Sequence, residues 1–163
     1  MKQFDSLAGF ASHLVKTAAL GGVVSHHIVK RAGEIIQHDA QSRIGSYQDG
    51  GGGFPAWANL APATIEDRIR KGFTPEDPLL RTGEMRDSIE VEAHAHEAVV
   101  GTADVIALYQ EQGTSTIPPR PFLGPAALHS KEKIGALSAA IAMAWIGGGK
   151  WRAKALTLPG RKP

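Results

Sequence analysis

A chain of 163 residues, 42% apolar and without cysteine, can bury one modest core, and it excludes disulfides and thiolate metal sites. Its net charge of +2 conceals a division: residues 147–163 carry five basic residues and no acid, which leaves 13 basic against 16 acidic in the first 146. The amino terminus lacks the basic-then-apolar order of a secretory signal, and no apolar run approaches the roughly 18 residues of a membrane span, so no membrane role is expected.

In chain order, Phe4 to Leu20 has a weak helical pattern that breaks at Gly21-Gly22, which predicts a helical extension over residues 1–22. From Val23 to Ile44, Val24, Ile28, Ala32, Ile35, Ile36, Ala40 and Ile44 return with the spacing of one helical face. A glycine-rich loop over 48–54 follows. Pro62 then suits a helix start and Gly72 a helix end.

Residues 88–96 alternate with period two, with Ile89, Val91, Ala93 and Ala95 on one side, which predicts a half-buried strand. A turn near Glu97 would return the chain as the strand AVVGT, making a hairpin. Ala103 to Gln112 reads as a short helix closed by Gly113, with Val105, Leu108 and Tyr109 inward. A last helix starts near Pro125 and runs on an apolar stripe of Leu128, Ile134, Leu137, Ile141, Ala144 and Trp145 to the glycine triplet at 147–149. The fold class is α+β, a small antiparallel sheet packed with N-terminal and C-terminal helices. Its main domain covers 23–146 and a flexible basic tail covers 147–163.

Chemistry-bearing constellations are few. His94 and His96 on the polar side of a strand, near Glu90 and Glu92, could face one metal, but structural zinc wants about four ligands and no second cluster is evident. No phosphate-cradling glycine loop with its lysine, G-x-S-x-G elbow or cysteine nucleophile is present, so neither an enzyme nor a cofactor is expected. Pro118-x-x-Pro121 matches the form of a P-x-x-P ligand, yet Phe122 and Leu123 run directly into a helix and tie the strip to the fold. The tail sets Trp151 among Lys150, Arg152 and Lys154, a combination suited to a neighbouring protein surface, with DNA phosphates as the alternative contact.

Five pieces stand in order: Trp57 with Leu60 and Thr64; Leu79 to Ile89, written LLRTGEMRDSI; Val100-Gly101-Thr102; Tyr109 to Gly113, written YQEQG; and Pro119-Arg120-Pro121-Phe122-Leu123-Gly124. Together, over residues 57–127, they resemble the tail-completion or virion-morphogenesis families of tailed bacteriophages. Members of those families show a tryptophan-leucine start, L-x-x-T-G-x-L-x-x-S-I, V-G-T, Y-A-x-x-x-x-x-G and P-A-R-P-F-L. Pro119 stands where alanine is usual, Met85 replaces leucine, and Ala107-Leu108 precede Tyr109 where Tyr-Ala is usual.

The resemblance implies a non-enzymatic neck protein, a tail-completion or tail-terminator subunit that forms a ring, with a hexamer expected because the tail tube is sixfold. Its partners would be itself, the tail tube protein and a head-tail connector or stopper protein, with genomic DNA in the channel as a further contact. Its places would be the virion neck and, during assembly, the host cytoplasm. Trp57, Gly83, Gly101, Tyr109, Gly113, Phe122 and Leu123 would carry the fold motif. Arg120 would project between Pro119 and Pro121, with Glu111 nearby, as an interface anchor, and Trp151, Lys150, Arg152 and Lys154 would dock the tail. The competing function is a DNA-binding accessory protein acting through that tail.

Overall fold

The computed structural model describes residues 3–149, so the basic tail, with Lys150, Trp151, Arg152 and Lys154, lies outside the described residues. Eight elements follow one another: α1 (Leu7–Ala19), α2 (Gly21–Arg43), α3 (Pro62–Arg70), α4 (Glu84–Asp87), β1 (Glu90–Ala93), β2 (Ala98–Gly101), α5 (Val105–Gln112) and α6 (Leu123–Ile146). The strands pair as one two-stranded sheet, and the short turn between them makes it an antiparallel hairpin. The architecture is therefore a small mixed one, helices around a minimal sheet.

The chain divides into two compact units. One comprises the chain up to Ile35, Glu92–Val99 and the chain from Lys131 onward; the other comprises Ile36–Val91 and Val100–Ser130. The long helices α2 and α6 contribute to both. In the first unit, Val24 and Ile35 bury with Leu137 and Ile141, and Ile28, Ile134, Ala144 and Trp145 pack around them. Leu137 and Ile141 are one helical turn apart, so they share a face. Helix α1 is capped by Ser6, whose Oγ accepts from the Gly9 amide at 3.1 Å. It buries none of its own residues, and Leu7, Phe10, Leu14 and Val15 are exposed.

The second unit centres on Ala40, Ile44, Trp57, Ile89, Ala107, Phe122 and Ala126. Its loops are tighter than the expected glycine linker. Gly51 and Phe54 form a β-bridge, and Gly52 and Gly53 take positive φ. A Cβ on Gly52 would stand 2.3 Å from the Leu128 side chain, so residue type at that turn is set by close approach.

Three expectations about side-chain direction fail. The predicted strand 88–96 pairs only over Glu90–Ala93, and His94 and His96 lie in the turn that follows. The His94 amide donates to the Glu97 carbonyl at 2.8 Å, which closes the hairpin before the alternation ends. In α5, Val105, Leu108 and Tyr109 are about half exposed and the buried residue is Ala107. Asp104 caps this helix by accepting from the Ile106 amide at 2.9 Å; that start sets a phase in which Ala107 and Glu111, four residues apart, face the same way.

In α6, Leu128 is exposed, while Ala126 and Ser130, with Phe122 just before the helix, are buried at four-residue steps. This helix starts at Leu123, two residues before the expected Pro125. Pro125 therefore sits inside the first turn, where its missing N–H leaves no intrahelical bond unmade.

Candidate functional site

The proline-rich strip 117–124 runs from the end of α5 to the start of α6, and its backbone geometry explains its prolines. Gly113 closes α5 at φ 75°, where a Cβ would meet the Ile117 carbonyl oxygen and Pro119 at 3.0 Å, so only glycine fits this reversal. The Thr114 amide donates to the Ile117 carbonyl at 2.9 Å, and the Arg120 amide donates to the Gln110 carbonyl at 2.6 Å. Extended residues held by prolines lose little further freedom on taking this path.

Arg120 is the main correction. Expected to project as an interface anchor, it is 5% exposed and turned into its own unit. Its Nε donates to the Ala58 carbonyl at 3.2 Å, and its Nη2 donates to the carbonyls of Ala58 at 2.9 Å and Asn59 at 3.2 Å. The segment after Trp57 has no other donors for these two carbonyls among the described residues, which gives the guanidinium its inward pull. Burial pushes the Arg120 guanidinium below its usual pKa, and Tyr47 acts in the opposite direction.

Pro121 is buried too, and its carbonyl accepts from Trp57 Nε1 at 3.0 Å. Glu111 is engaged in the same way: its carboxylate accepts from the amides of Phe122 at 2.7 Å, Leu123 at 2.9 Å and Gly124 at 2.8 Å. These are donors that the start of α6 cannot satisfy internally, so a residue eleven positions upstream caps the helix and neutralises its positive end. Of the strip residues expected at an interface, Pro119 is the exposed one. Gly124 packs so closely that a Cβ would stand 2.6 Å from the Phe54 ring.

The remaining motif residues fall into the same unit. Phe122 is fully buried and Leu123 packs against the core. Gly83 holds φ 91° and is buried at the start of α4, a left-handed position that favours glycine. Gly101 ends β2, and the next residue, Thr102, shares a 2.7 Å hydroxyl hydrogen bond with Ser88.

Sequence reasoning missed two residues beside this framework. Arg68, on α3, is also 5% exposed. Its Nε donates to the Thr74 carbonyl at 2.7 Å and its Nη2 to the Leu80 carbonyl. Leu79 takes φ 64°, a left-handed conformation that non-glycine residues rarely adopt. A charged residue on a helix with a basic last turn gives no sequence signal of burial, and a leucine gives none of a left-handed turn.

Arg68, Leu79 and Arg120 line one cleft of about 610 Å³, with walls from α3, the segment before α4, α5 and the proline strip.

His94 and His96 do not come together as a metal site. In the first unit, His26 Nδ1 donates to the His94 carbonyl at 2.8 Å, and His96 Nδ1 shares a 2.9 Å hydrogen bond with Ser25 Oγ. Among the described residues no group of three or more His, Cys, Asp or Glu could hold a metal ion. No single described helix is long and apolar enough to cross a membrane.

Compared with protein-family models, with curated proteins and with solved structures, the chain matches none.

Proposed function

We propose that this chain is a structural subunit of a bacteriophage neck, a tail-completion or tail-terminator protein that assembles as a ring on the tail tube and joins it to the head. The observation that carries the reading is the placement of the five ordered sequence pieces. Although spread over about seventy residues, they form one interlocked framework in one unit: Trp57 holds Pro121, Glu111 holds Phe122 to Gly124, and Ser88 holds Thr102.

The surface of that framework supports an assembling protein. Val105, Ile106, Leu108 and Tyr109 stand about half exposed on α5, and Pro118 and Pro119 are exposed on the strip that follows it. A cluster of large apolar side chains rimmed by a stiff strip is the kind of surface that neighbouring subunits cover. The buried arginines hold backbone carbonyls, so the framework is read as structural.

Electron microscopy of the purified chain, with and without isolated tail tubes, tests the proposal. Rings of uniform size bound to tube ends are expected. A protein that stays monomeric at high concentration and ignores tube ends would refute it, and salt-dependent binding to naked DNA that vanishes on deletion of residues 147–163 would favour the DNA-binding accessory function.

A further inference from the structure

Helix α1 is held with its apolar side outward. At 3.6 residues per turn Phe10, Leu14, Leu7, Ala18, Ala11 and Val15 fall in that order on one arc of about 140°, and all six are exposed, Leu7 at 82% and Val15 at 69%. The residues of α1 that meet the rest of the first unit are polar. His13 and Thr17, one turn apart, are its half-buried positions, and His13 Nε2 donates to the Ile146 carbonyl at the end of α6 at 3.0 Å. Lys16, the one charged residue of the helix, lies opposite the arc. A surface helix ordinarily turns its apolar stripe toward its own core, so the arc on α1 is a face made to be covered by something else.

The order of residue sizes along the arc indicates what covers it. Leu7, Ala11, Leu14 and Ala18 recur at steps of four, three and four, the spacing of a two-helix seam, and they alternate large and small. Read in reverse, the seam is small, large, small, large. A second α1 laid antiparallel, related by a two-fold axis at the level between Ser12 and His13, therefore sets Leu7 against Ala18, Leu14 against Ala11 and Phe10 against Val15, and each pairing recurs across the axis. Large against small at every level lets the layers interdigitate and the helix axes approach to about 8 Å. Parallel pairing would stack leucine on leucine and leave a gap at each alanine. The area is sufficient: Leu7, Phe10, Leu14 and Val15 leave on the order of 500 Å² exposed on each copy, so a pair covers about 1,000 Å², where specific interfaces begin. A membrane surface fits less well, because helices that lie in a bilayer interface are rich in Lys and Arg on the polar face and α1 has Lys16 alone.

We infer that α1 is the contact through which a second copy of this chain pairs, antiparallel and two-fold. The inference goes beyond ring formation and does not rest on it. Helix α1 belongs wholly to the first unit, whereas the framework and the exposed face of α5 belong to the second, and a two-fold contact joins two copies without closing a ring.

The test uses the full chain, which has no cysteine, so Leu7→Cys and Ala18→Cys each introduce a single thiol, both at exposed positions. In the antiparallel pair residue 7 meets residue 18 of the second copy, while the two copies of residue 7 stand about 16 Å apart along the helix, beyond the roughly 7 Å between Cα atoms that a disulfide can bridge. Under mild oxidation a mixture of the two variants is expected to form cross-linked dimer at least about tenfold faster than either variant alone. Ala11→Leu added to both should slow that linking about tenfold by setting leucine against leucine, and Leu14→Ala added as well should restore it. General stickiness predicts the reverse, because Ala11→Leu enlarges the apolar face. No mixed cross-link, linking of either variant alone at the rate of the mixture, or faster linking in Ala11→Leu would overturn the inference. Flotation of the unaltered protein with phosphatidylglycerol vesicles, lost in Leu14→Glu, would assign the arc to a membrane surface and overturn it as well. Rings on tail tubes without the mixed cross-link would overturn the pairing and leave the proposed neck function standing.

Discussion

Removing the Glu111 carboxylate isolates the contact that joins the proline strip to the last helix. Its two oxygens accept three backbone amides at 2.7 to 2.9 Å, all within the first turn of α6 or just before it. In Glu111→Ala these donors lose a charged acceptor. Charge-assisted hydrogen bonds are worth about 1.5–3 kcal/mol, but water reaches a half-buried helix end, so about 1 kcal/mol per donor is the appropriate figure here. A further ~0.5 kcal/mol is lost from the favourable interaction of a negative charge with the helix N-terminus. The expected destabilisation is therefore about 3–4 kcal/mol. With a urea m-value of roughly 2 kcal/mol per molar, the unfolding midpoint falls by about 1.5–2 M.

Urea denaturation followed by far-UV circular dichroism measures that shift. Amide hydrogen exchange supplies the local readout, with protection lost first at Phe122, Leu123 and Gly124. Glu111→Gln retains one acceptor oxygen and should lie between wild type and alanine. A midpoint within experimental error of wild type, with those three amides still protected, would refute the assignment of Glu111 as the remote cap of α6.

Arg120→Ala should unfold more readily than wild type by about 2–4 kcal/mol, because it leaves the Ala58 and Asn59 carbonyls without their donor; an equally stable variant that only fails to assemble would restore the projecting-anchor expectation. Phe122→Ala empties a fully buried position and should cost about 3–5 kcal/mol, measured by the same denaturation. Gly83→Ala forces a Cβ onto a φ of 91° and should lower stability by about 1–2 kcal/mol, whereas Gly22→Ala, in α2 with open space around its Cβ, should be neutral or slightly stabilising.

The Asp67 carboxyl is held below its ordinary pKa first by its hydrogen bond from Lys71, then by that from Arg70. Its folded pKa is depressed, so its small contribution is present above the unfolded value near 3.9 and lost as pH falls through the folded one. NMR titration of the side chain should show Lys71→Met moving its midpoint upward, and an unchanged midpoint would remove Lys71 as the main cause.

The sequence by itself determined the order and type of the long elements, because periodicity survives wherever burial is one-sided over many turns. Val24, Ile35, Ala40 and Ile44 on the face of α2 and its end, and Leu137 and Ile141 in the later part of the α6 stripe, are buried as their spacing predicts, with Ile28, Ala32 and Ile36 half-buried between them. Turn chemistry was legible too: Gly113 closes α5, and Pro62 opens α3. In the eight-residue α5 periodicity is too brief to fix phase. There the Asp104 cap and the contact of Glu111 with the strip turned small Ala107 inward and left Val105, Leu108 and Tyr109 outside.

Only the tertiary structure decided where the charges go. Arg120 between prolines reads as a projecting cation, and nothing in the local sequence marks Arg68 for burial, yet both are drawn inward by loop carbonyls that have no other donor among the described residues. The α2 stripe, continuous in sequence, serves two separate cores, with Val24 and Ile35 in one and Ala40 and Ile44 in the other. Which partner satisfies a buried polar group depends on residues dozens of positions away, Arg120 with Ala58 and Trp57 with Pro121, and local sequence does not specify such pairings before the chain has packed.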